Sequence, residues 1–139
     1  MAERRDADVL EELLAAERQL ISIYEAALRR DAIDAALGER LVAQEREHAK
    51  GLERALAGAG PRNPLASVPP PALGAALRSR TAFARFALDM ETETVAAYVD
   101  AAATIRDPKL RQPLGSIMAC EAAHQVALRD SLGQPLVVD

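Results

Sequence analysis

Both histidines of this 139-residue chain end the same four-residue pattern, Glu-x-x-His. The first pattern runs from Glu45 to His48 and the second from Glu121 to His124. On an α-helix, residues three positions apart project from the same face, so each pattern places a carboxylate beside an imidazole. Iron, manganese and zinc bind such ligands. Two patterns, one in each half of the chain, indicate a site for two metal ions inside a helical bundle.

The composition predicts that helices position these residues. Hydrophobic residues make up 50% of the chain and aromatic residues only 3%. Alanine, leucine, glutamate and arginine are abundant, and all four are strong helix formers. No run of alternating β-branched residues predicts a strand. We therefore predict an all-α fold in which residues 1–139 form one domain.

Apolar residues at helical spacing and local stop signals predict four long helices and one short one. The long helices cover about 6–30, 34–58, 80–106 and 108–132, and the short helix lies around 72–77. Asp8 with Glu11 resembles a capping box or an acidic first turn, and Asp34 and Asp107 are candidate N-caps. Gly58 or Gly60 is the candidate stop of the second helix, and Gly133 is that of the fourth long helix.

Each long helix carries a stripe of apolar residues that predicts its buried face. In the first two helices the stripe consists of Leu10, Leu13, Leu14, Leu20, Ile21 and Leu28, then Leu37, Leu41, Leu52 and Leu56. In the last two it consists of Leu88, Val95, Ala102 and Ile105, then Leu110, Leu114, Ile117, Leu128 and Leu132.

The segment 61–79 predicts the topology. Five prolines lie between Pro61 and Pro71, so regular helix is excluded there. An extended chain advances about 3.3 Å per residue, whereas a helix advances about 1.5 Å, so this segment is long enough to return along the bundle. Short turns make the flanking helix pairs antiparallel. We predict a four-helix bundle with up-down-down-up topology and one long crossover between the second and third long helices.

Charged residues interrupt every apolar stripe near the middle of its helix. They are Glu17, Glu45, His48, Glu91, Glu121 and His124. Mid-helix positions meet at one level of a bundle, whichever way each helix points. Four buried carboxylates without a compensating positive charge would cost several kcal/mol each. Their summed cost would be on the order of the whole free energy of unfolding of a domain. Two divalent cations would balance the four negative charges, and a hydrogen-bonded polar network without metal is the alternative.

The two tyrosines extend the repeat between the two halves of the chain. Tyr24 follows Glu17 by seven residues, and Tyr98 follows Glu91 by the same interval. Seven residues make two helical turns, so each tyrosine shares a face with its glutamate. The halves thus repeat glutamate, tyrosine and Glu-x-x-His in order, as duplication of a helical hairpin would produce.

The complete pattern resembles the ferritin-like di-iron carboxylate superfamily over essentially the whole chain. The segments LVAQEREHAKGLERAL and ETETVAAYVDAA with IMACEAAHQVALRDSLG are most similar to small bacterial ferritin-like domain proteins. The resemblance implies bridging by Glu45 and Glu121, with terminal ligation by four further residues. Those terminal ligands are His48, His124, Glu17 and Glu91. It also implies that Tyr24 and Tyr98 donate hydrogen bonds to ligand carboxylates.

We expect two Fe ions, alternatively Mn, or Zn as a substitute. Two Fe or Mn ions would suit oxidoreductase chemistry on O₂, peroxide or Fe²⁺. The alternatives are iron binding or storage without turnover, and a structural bundle that has lost catalysis. A single cysteine leaves no cysteine-rich iron module, so turnover would need an external electron donor or a self-contained peroxide cycle. The short segment after the fourth helix favours a monomer or homodimer over a ferritin cage.

Charge and hydropathy narrow the partners and the location. The net charge of −4 argues against nucleic-acid and membrane-surface binding. No stretch approaches the length of a transmembrane helix, and the first residues lack the apolar core of a secretion signal, so we expect a cytoplasmic protein. We expect Cys120 to be an inert residue beside the core, and Glu25, Glu47 and Glu93 to lie on the surface.

Overall fold

The computed structural model describes residues 4–135. In this range the chain forms five α-helices and one 3₁₀-helix. The α-helices are α1 (Asp6–Arg29), α2 (Ala35–Ala57), α3 (Leu73–Ala76), α4 (Arg80–Thr104) and α5 (Arg111–Ser131), and the 3₁₀-helix is Pro108–Leu110. None of the described helices is long and apolar enough to cross a membrane.

The helix boundaries follow the local sequence signals, with two exceptions. The Asp34 carboxylate accepts a hydrogen bond from the Leu37 amide at 3.0 Å, as expected of an N-cap. Asp107 caps the 3₁₀ turn Pro108–Leu110 rather than an α-helix, so the last long helix begins three residues later than predicted. At the start of α1 the acidic first turn is confirmed, since it contains Asp6 and Asp8, whereas the alternative of a capping box is wrong, because Asp8 pairs with Arg5 at 2.7 Å.

Glu11, the second residue of that predicted capping box, is buried and accepts a hydrogen bond from Arg62 at 2.6 Å. A buried carboxylate needs such a partner, and here the partner comes from the crossover. The sequence does not reveal this pair, because its members lie 51 positions apart.

The four long helices form the predicted up-down-down-up bundle. α1 packs antiparallel to α2, and α4 packs antiparallel to α5. The crossover follows α1 toward its far end, as three contacts from the crossover and one from Arg80, the first residue of α4, show. They are Arg5 to the Pro61 carbonyl (3.4 Å), Glu11 to Arg62 (2.6 Å), Gln19 to the Val68 carbonyl (2.8 Å) and Asp31 to Arg80 (2.6 Å). The segment thus carries the chain from one end of the bundle to the other.

Buried apolar residues form two separate layers. The first apolar layer surrounds the start of α1 and includes Leu10, Leu14, Leu52, Leu56, Ile105 and Leu114. The second apolar layer surrounds the end of α1 and includes Leu20, Ile23, Leu41, Phe83, Ala87 and Leu128. Between them, at mid-height, lie the interrupting charged residues of all four helices.

The predicted buried face of α4 is partly wrong. Ala102 is exposed and Val95 is only half-buried, whereas Thr94 and Ala101 are buried. The buried face of α4 contains polar and small residues. Because the prediction relied on apolar residues, it assigned neighbouring positions to the buried face instead. A similar shift in α1 leaves Ile21 half-buried and Ile23 buried.

Candidate metal centre

The structure brings all six predicted site residues together between the two apolar layers. The four glutamates, Glu17, Glu45, Glu91 and Glu121, are each 0% exposed. His48 is 8% exposed and His124 is 2% exposed. Each long helix supplies its residues from near its middle, because the helices start at the bundle ends and are of similar length. Folding therefore concentrates four carboxyl groups and two imidazoles in one polar layer.

The polar layer divides into two overlapping groups of ligand atoms. One group contains Glu17, Glu45, His48 and Glu121, and the other contains Glu45, Glu91, Glu121 and His124. Within each group the donor atoms all lie within 4.8 Å of one another. Glu45 and Glu121 belong to both groups, and every other member belongs to one. This is the arrangement needed for two neighbouring cations that share two carboxylates.

Each imidazole turns its Nδ1 atom toward the shared carboxylates. His48 Nδ1 lies 3.0 Å from both Glu45 Oε2 and Glu121 Oε1. His124 Nδ1 lies 3.0 Å from both Glu121 Oε2 and Glu45 Oε1. The ring centroids are 5.9 Å apart and the ring planes differ by 26°. The two halves of the site are therefore related by an approximate twofold axis.

Three carboxylate oxygens in the layer are buried without a hydrogen-bond partner among the described residues. They are Glu17 Oε2, Glu45 Oε1 and Glu91 Oε2. Glu45 Oε1 lies 3.0 Å from His124 Nδ1, but the contact lacks hydrogen-bond geometry. Leaving a buried acceptor unpaired costs roughly 1–3 kcal/mol. Because these oxygens lie in the two ligand groups, a bound cation would satisfy them, and the residues present fit a dinuclear centre.

Two tyrosines hold the outer carboxylates across the bundle. The Tyr24 hydroxyl donates a hydrogen bond to Glu91 at 2.5 Å, and the Tyr98 hydroxyl donates one to Glu17. Each tyrosine therefore donates its hydrogen bond to the glutamate of the other hairpin. The sequence pattern had paired each tyrosine with the glutamate on its own helix. Burial raises the pKa of both tyrosines, so both remain neutral donors. The exchange also ties α1 to α4 in antiparallel register.

Burial and hydrogen bonds within the polar layer shift the pKa values of its ionisable groups in opposite directions. Burial raises the pKa of Glu17 well above its usual value and that of Glu91 to about 9. Burial alone would lower the pKa of His124, but hydrogen bonds to Glu121, Glu45 and Glu91 raise it to about 12. Burial likewise would lower the pKa of His48, but hydrogen bonds to Glu121, Glu17 and Glu45 raise it. In return, hydrogen bonds from the two imidazoles lower the pKa of Glu121 despite its burial.

Two residues that sequence reasoning missed or set aside contact the outer nitrogen of His124. Gln44 Oε1 lies 2.9 Å from His124 Nε2, and Cys120 Sγ lies 3.5 Å from the same atom. Each immediately precedes the glutamate of a Glu-x-x-His pattern, which is the signal that could have singled them out. The expected surface positions of Glu47 and Glu93 agree with their exposure, and half-buried Glu25 pairs with Arg46.

Comparison with known proteins relates the fold to one family. The family profile described as "Ferritin-like domain" matches residues 5–134. A solved structure of an uncharacterized conserved protein from Magnetospirillum magnetotacticum MS-1 superposes with a TM-score of 0.73 at 22% identity. That similarity covers 94% of this chain and 96% of the other. No curated protein matches the sequence. Since the family profile covers nearly the whole chain, the chain belongs to the ferritin-like domain family.

Proposed function

We propose that this protein binds two iron or manganese ions in the polar layer and uses them in oxidoreductase chemistry on O₂, peroxide or Fe²⁺. The observation that supports the proposal most strongly is the pair of ligand groups that share Glu45 and Glu121. Buried oxygens without hydrogen-bond partners at the same place add to it. A mixed set of carboxylates and imidazoles suits iron and manganese. Magnesium and calcium typically bind sets made of oxygen ligands alone.

The position of each residue suggests its role in holding the two metal ions. Glu45 and Glu121 would bridge, since only they belong to both groups. Glu17 with His48 would complete one position, and Glu91 with His124 the other. Tyr24 and Tyr98 would keep the outer carboxylates oriented. When bound, two adjacent redox metals would share the electron transfer to or from a small substrate.

Burial of the site limits the substrate. All six candidate ligands are at most 8% exposed, and apolar layers lie above and below them. The cavity of about 200 Å³ at the far end of the bundle is lined by Ile33, Phe83 and Leu128 among others, and none of the six candidate ligands borders it. A small inorganic substrate fits these conditions, and a bulky organic one does not.

The proposal extends to the source of electrons, the cellular location, the oligomeric state and the partners. We propose that turnover draws on an external electron donor or on a self-contained peroxide cycle, and that the protein acts in the cytoplasm as a monomer or homodimer without nucleic-acid or membrane partners. Size-exclusion chromatography with light scattering would report the oligomer, and a shell-sized particle would contradict this part.

Iron binding without turnover is the second candidate function. The low exposure of the candidate ligands favours it, because a closed polar layer can hold metal and still exclude a substrate. The two functions differ in one measurable respect, which is reaction with O₂ or peroxide after metal loading. A bundle that has lost catalysis and metal together is the third reading, and it predicts no stoichiometric binding at all.

Anaerobic Fe²⁺ titration followed by exposure to O₂ or peroxide tests the proposal. We expect two irons per chain and rapid oxidation of the bound iron. Glu45→Ala should lose binding, and Glu47→Ala is its matched control because Glu47 is exposed on the same helix. Glu91→Ala and Glu93→Ala form the corresponding pair on α4. Two bound irons that fail to oxidise would favour storage, and absence of binding would overturn the proposal.

A further inference from the structure

We infer that the two metal positions are unequal, and that Gln44 is the positioning residue that makes the position beside His124 the tighter of the two. The inference rests on the proposed metal binding and extends it to the order in which the positions fill. It arises from one difference in a site that is otherwise close to twofold symmetric.

Gln44 holds the His124 ring from outside the polar layer. Its side-chain oxygen lies 2.9 Å from Nε2, while Nδ1 of the same ring faces Glu45, Glu91 and Glu121. The Nε2–H group therefore donates to Gln44, which leaves Nδ1 as the nitrogen for a metal. A hydrogen bond of this kind fixes both the tautomer and the orientation of a liganding imidazole. The contact also joins α2 to α5 at the level of the site.

His48 lacks an equivalent partner. Its Nδ1 atom has the same relation to the carboxylates, but among residues 4–135 no hydrogen bond to its Nε2 atom is formed. Its side chain is 9% exposed, against 3% for that of His124. The His48 ring is therefore anchored on one edge only, and metal binding there must restrict motion that Gln44 already restricts at His124.

The internal repeat shows where the symmetry fails. Gln44 directly precedes Glu45, and the residue that directly precedes Glu121 is Cys120. The symmetric counterpart of the Gln44 contact would join Cys120 to His48. A cysteine side chain is too short to make it and has only a weakly accepting sulfur. Instead Cys120 Sγ lies 3.5 Å from Nε2 of His124, one turn along its own helix.

The expected size of the difference follows from other metalloproteins. Loss of a hydrogen-bond partner to a liganding residue typically weakens metal binding by about 10–100-fold. We therefore expect the first equivalent of metal to occupy the His124 position and the second to bind about 10–100-fold more weakly. The single replacement Cys120→Gln should supply the missing acceptor and bring the two affinities closer.

Anaerobic Co²⁺ titration, followed by visible absorption and calorimetry, tests the inference. The wild-type protein should show two resolved steps, and crystals grown with one equivalent should show anomalous density beside His124. Gln44→Leu should weaken the tighter step about 10–100-fold and leave the other nearly unchanged. Gln44→Glu, which keeps an acceptor, should retain two resolved steps. Gln19→Leu is the matched control, since within residues 4–135 the side chain of this half-buried glutamine bonds to the Val68 carbonyl and to no candidate ligand.

The outcomes separate this inference from the proposed function. Two equal affinities in the wild type, or first occupancy beside His48, would overturn the inference while leaving metal binding intact. Equal weakening of both steps by Gln44→Leu would also overturn it. Complete absence of Co²⁺ binding in the wild type would reject the proposed function, and the inference with it. If Gln44→Leu fails to fold, Cys120→Gln and the wild-type crystals still decide.

Discussion

The two apolar layers and the polar layer between them are built from the same four helices but by opposite means. In the apolar layers, leucine and other apolar side chains lose contact with water, and each fully buried one contributes roughly 1.5–3 kcal/mol. In the polar layer, four carboxyl groups and two imidazoles are buried at a cost that protonation, hydrogen bonds or bound metal must reduce. Stability and proposed function therefore lie in separate parts of one core.

This separation explains why the site can be so polar without disrupting the bundle. The helices are held together above and below it by apolar contacts, and across it by the hydrogen bonds from Tyr24 and Tyr98. If the separation holds, substitutions in the polar layer should change mainly metal affinity, and substitutions in the apolar layers should change mainly the free energy of unfolding.

Removal of a shared carboxylate should have the largest effect, and on metal binding alone. Glu45→Ala or Glu121→Ala takes a ligand from both groups at once, so we expect metal affinity to fall at least about 1,000-fold, equivalent to about 4 kcal/mol. The metal-free variant should be about as stable as the metal-free wild type, because removing one buried carboxylate also allows an imidazole that it held protonated to lose its proton. Calorimetric titration and thermal unfolding measure the two quantities. A large loss of metal-free stability would break the comparison.

Truncation in the apolar layers should do the reverse. Leu10→Ala in the first layer and Phe83→Ala in the second should each lower the free energy of unfolding by about 3 kcal/mol. Metal stoichiometry should stay at two, since neither residue is a candidate ligand. Val99→Ala on the outer face of α4 is the control, and its 54% exposure predicts almost no change. Loss of a metal ion in either apolar variant would show that the layers are not independent.

The pH dependence of the metal-free protein should come from the polar layer. Folding raises the pKa of Glu91 from 4.5 to about 9 and that of His124 from 6.5 to about 12. The folded state thus keeps protons that the unfolded chain has lost, and its stability falls as pH rises. Between pH 6 and pH 9 we expect a loss of about 2 kcal/mol per pH unit, because each proton that only the folded state retains contributes up to about 1.4 kcal/mol per unit.

Thermal unfolding across that pH range checks this prediction, with Leu10→Ala as a reference. The reference should give a curve parallel to the wild type, because its polar layer is intact. Metal binding displaces the same protons, so metal-loaded protein should be much less sensitive to pH and should release protons as it binds. Greater stability of the metal-free protein at pH 9 than at pH 6 would show that the protons are not held as described.

The tyrosines should give the smallest effect and the most symmetric one. Tyr24→Phe and Tyr98→Phe each remove one hydrogen bond to an outer carboxyl group and leave the ring packing in place. We expect each to lower stability by about 1 kcal/mol and to weaken metal binding about tenfold. The two variants should agree within about threefold in metal affinity, since the contacts are related by the approximate twofold axis. A large difference between them would extend the asymmetry beyond Gln44 and Cys120.

The sequence predicted the fold and the six clustered residues because both depend on local periodicity. The Glu-x-x-His patterns and the interrupted apolar stripes require only the helical repeat to place residues on one face. Bundle topology followed from the length and proline content of 61–79. Gly133 lies just beyond α5 with a φ of 67°, which glycine permits, whereas Gly58 caps α2 with a φ of −101° that any residue can adopt.

Features that depend on distant partners could not be predicted in this way. The buried pair of Glu11 with Arg62 needs the path of the crossover, which no periodicity specifies. The exchange of Tyr24 and Tyr98 between hairpins, and the contact of Gln44 with His124, need the relative height of two helices. On α4 the buried face contains Thr94 and Ala101 in place of larger apolar residues, so the pattern itself was weak.

Metal content is the central claim, and anomalous diffraction at the iron and manganese edges tests it most directly. Crystals of protein purified without chelators should be measured together with elemental analysis of the same sample. The account predicts two metal peaks per chain between the apolar layers, both touching Glu45 and Glu121, with one beside His48 and one beside His124. A metal-free polar layer in which Glu17, Glu45 and Glu91 are satisfied by hydrogen bonds alone would contradict it.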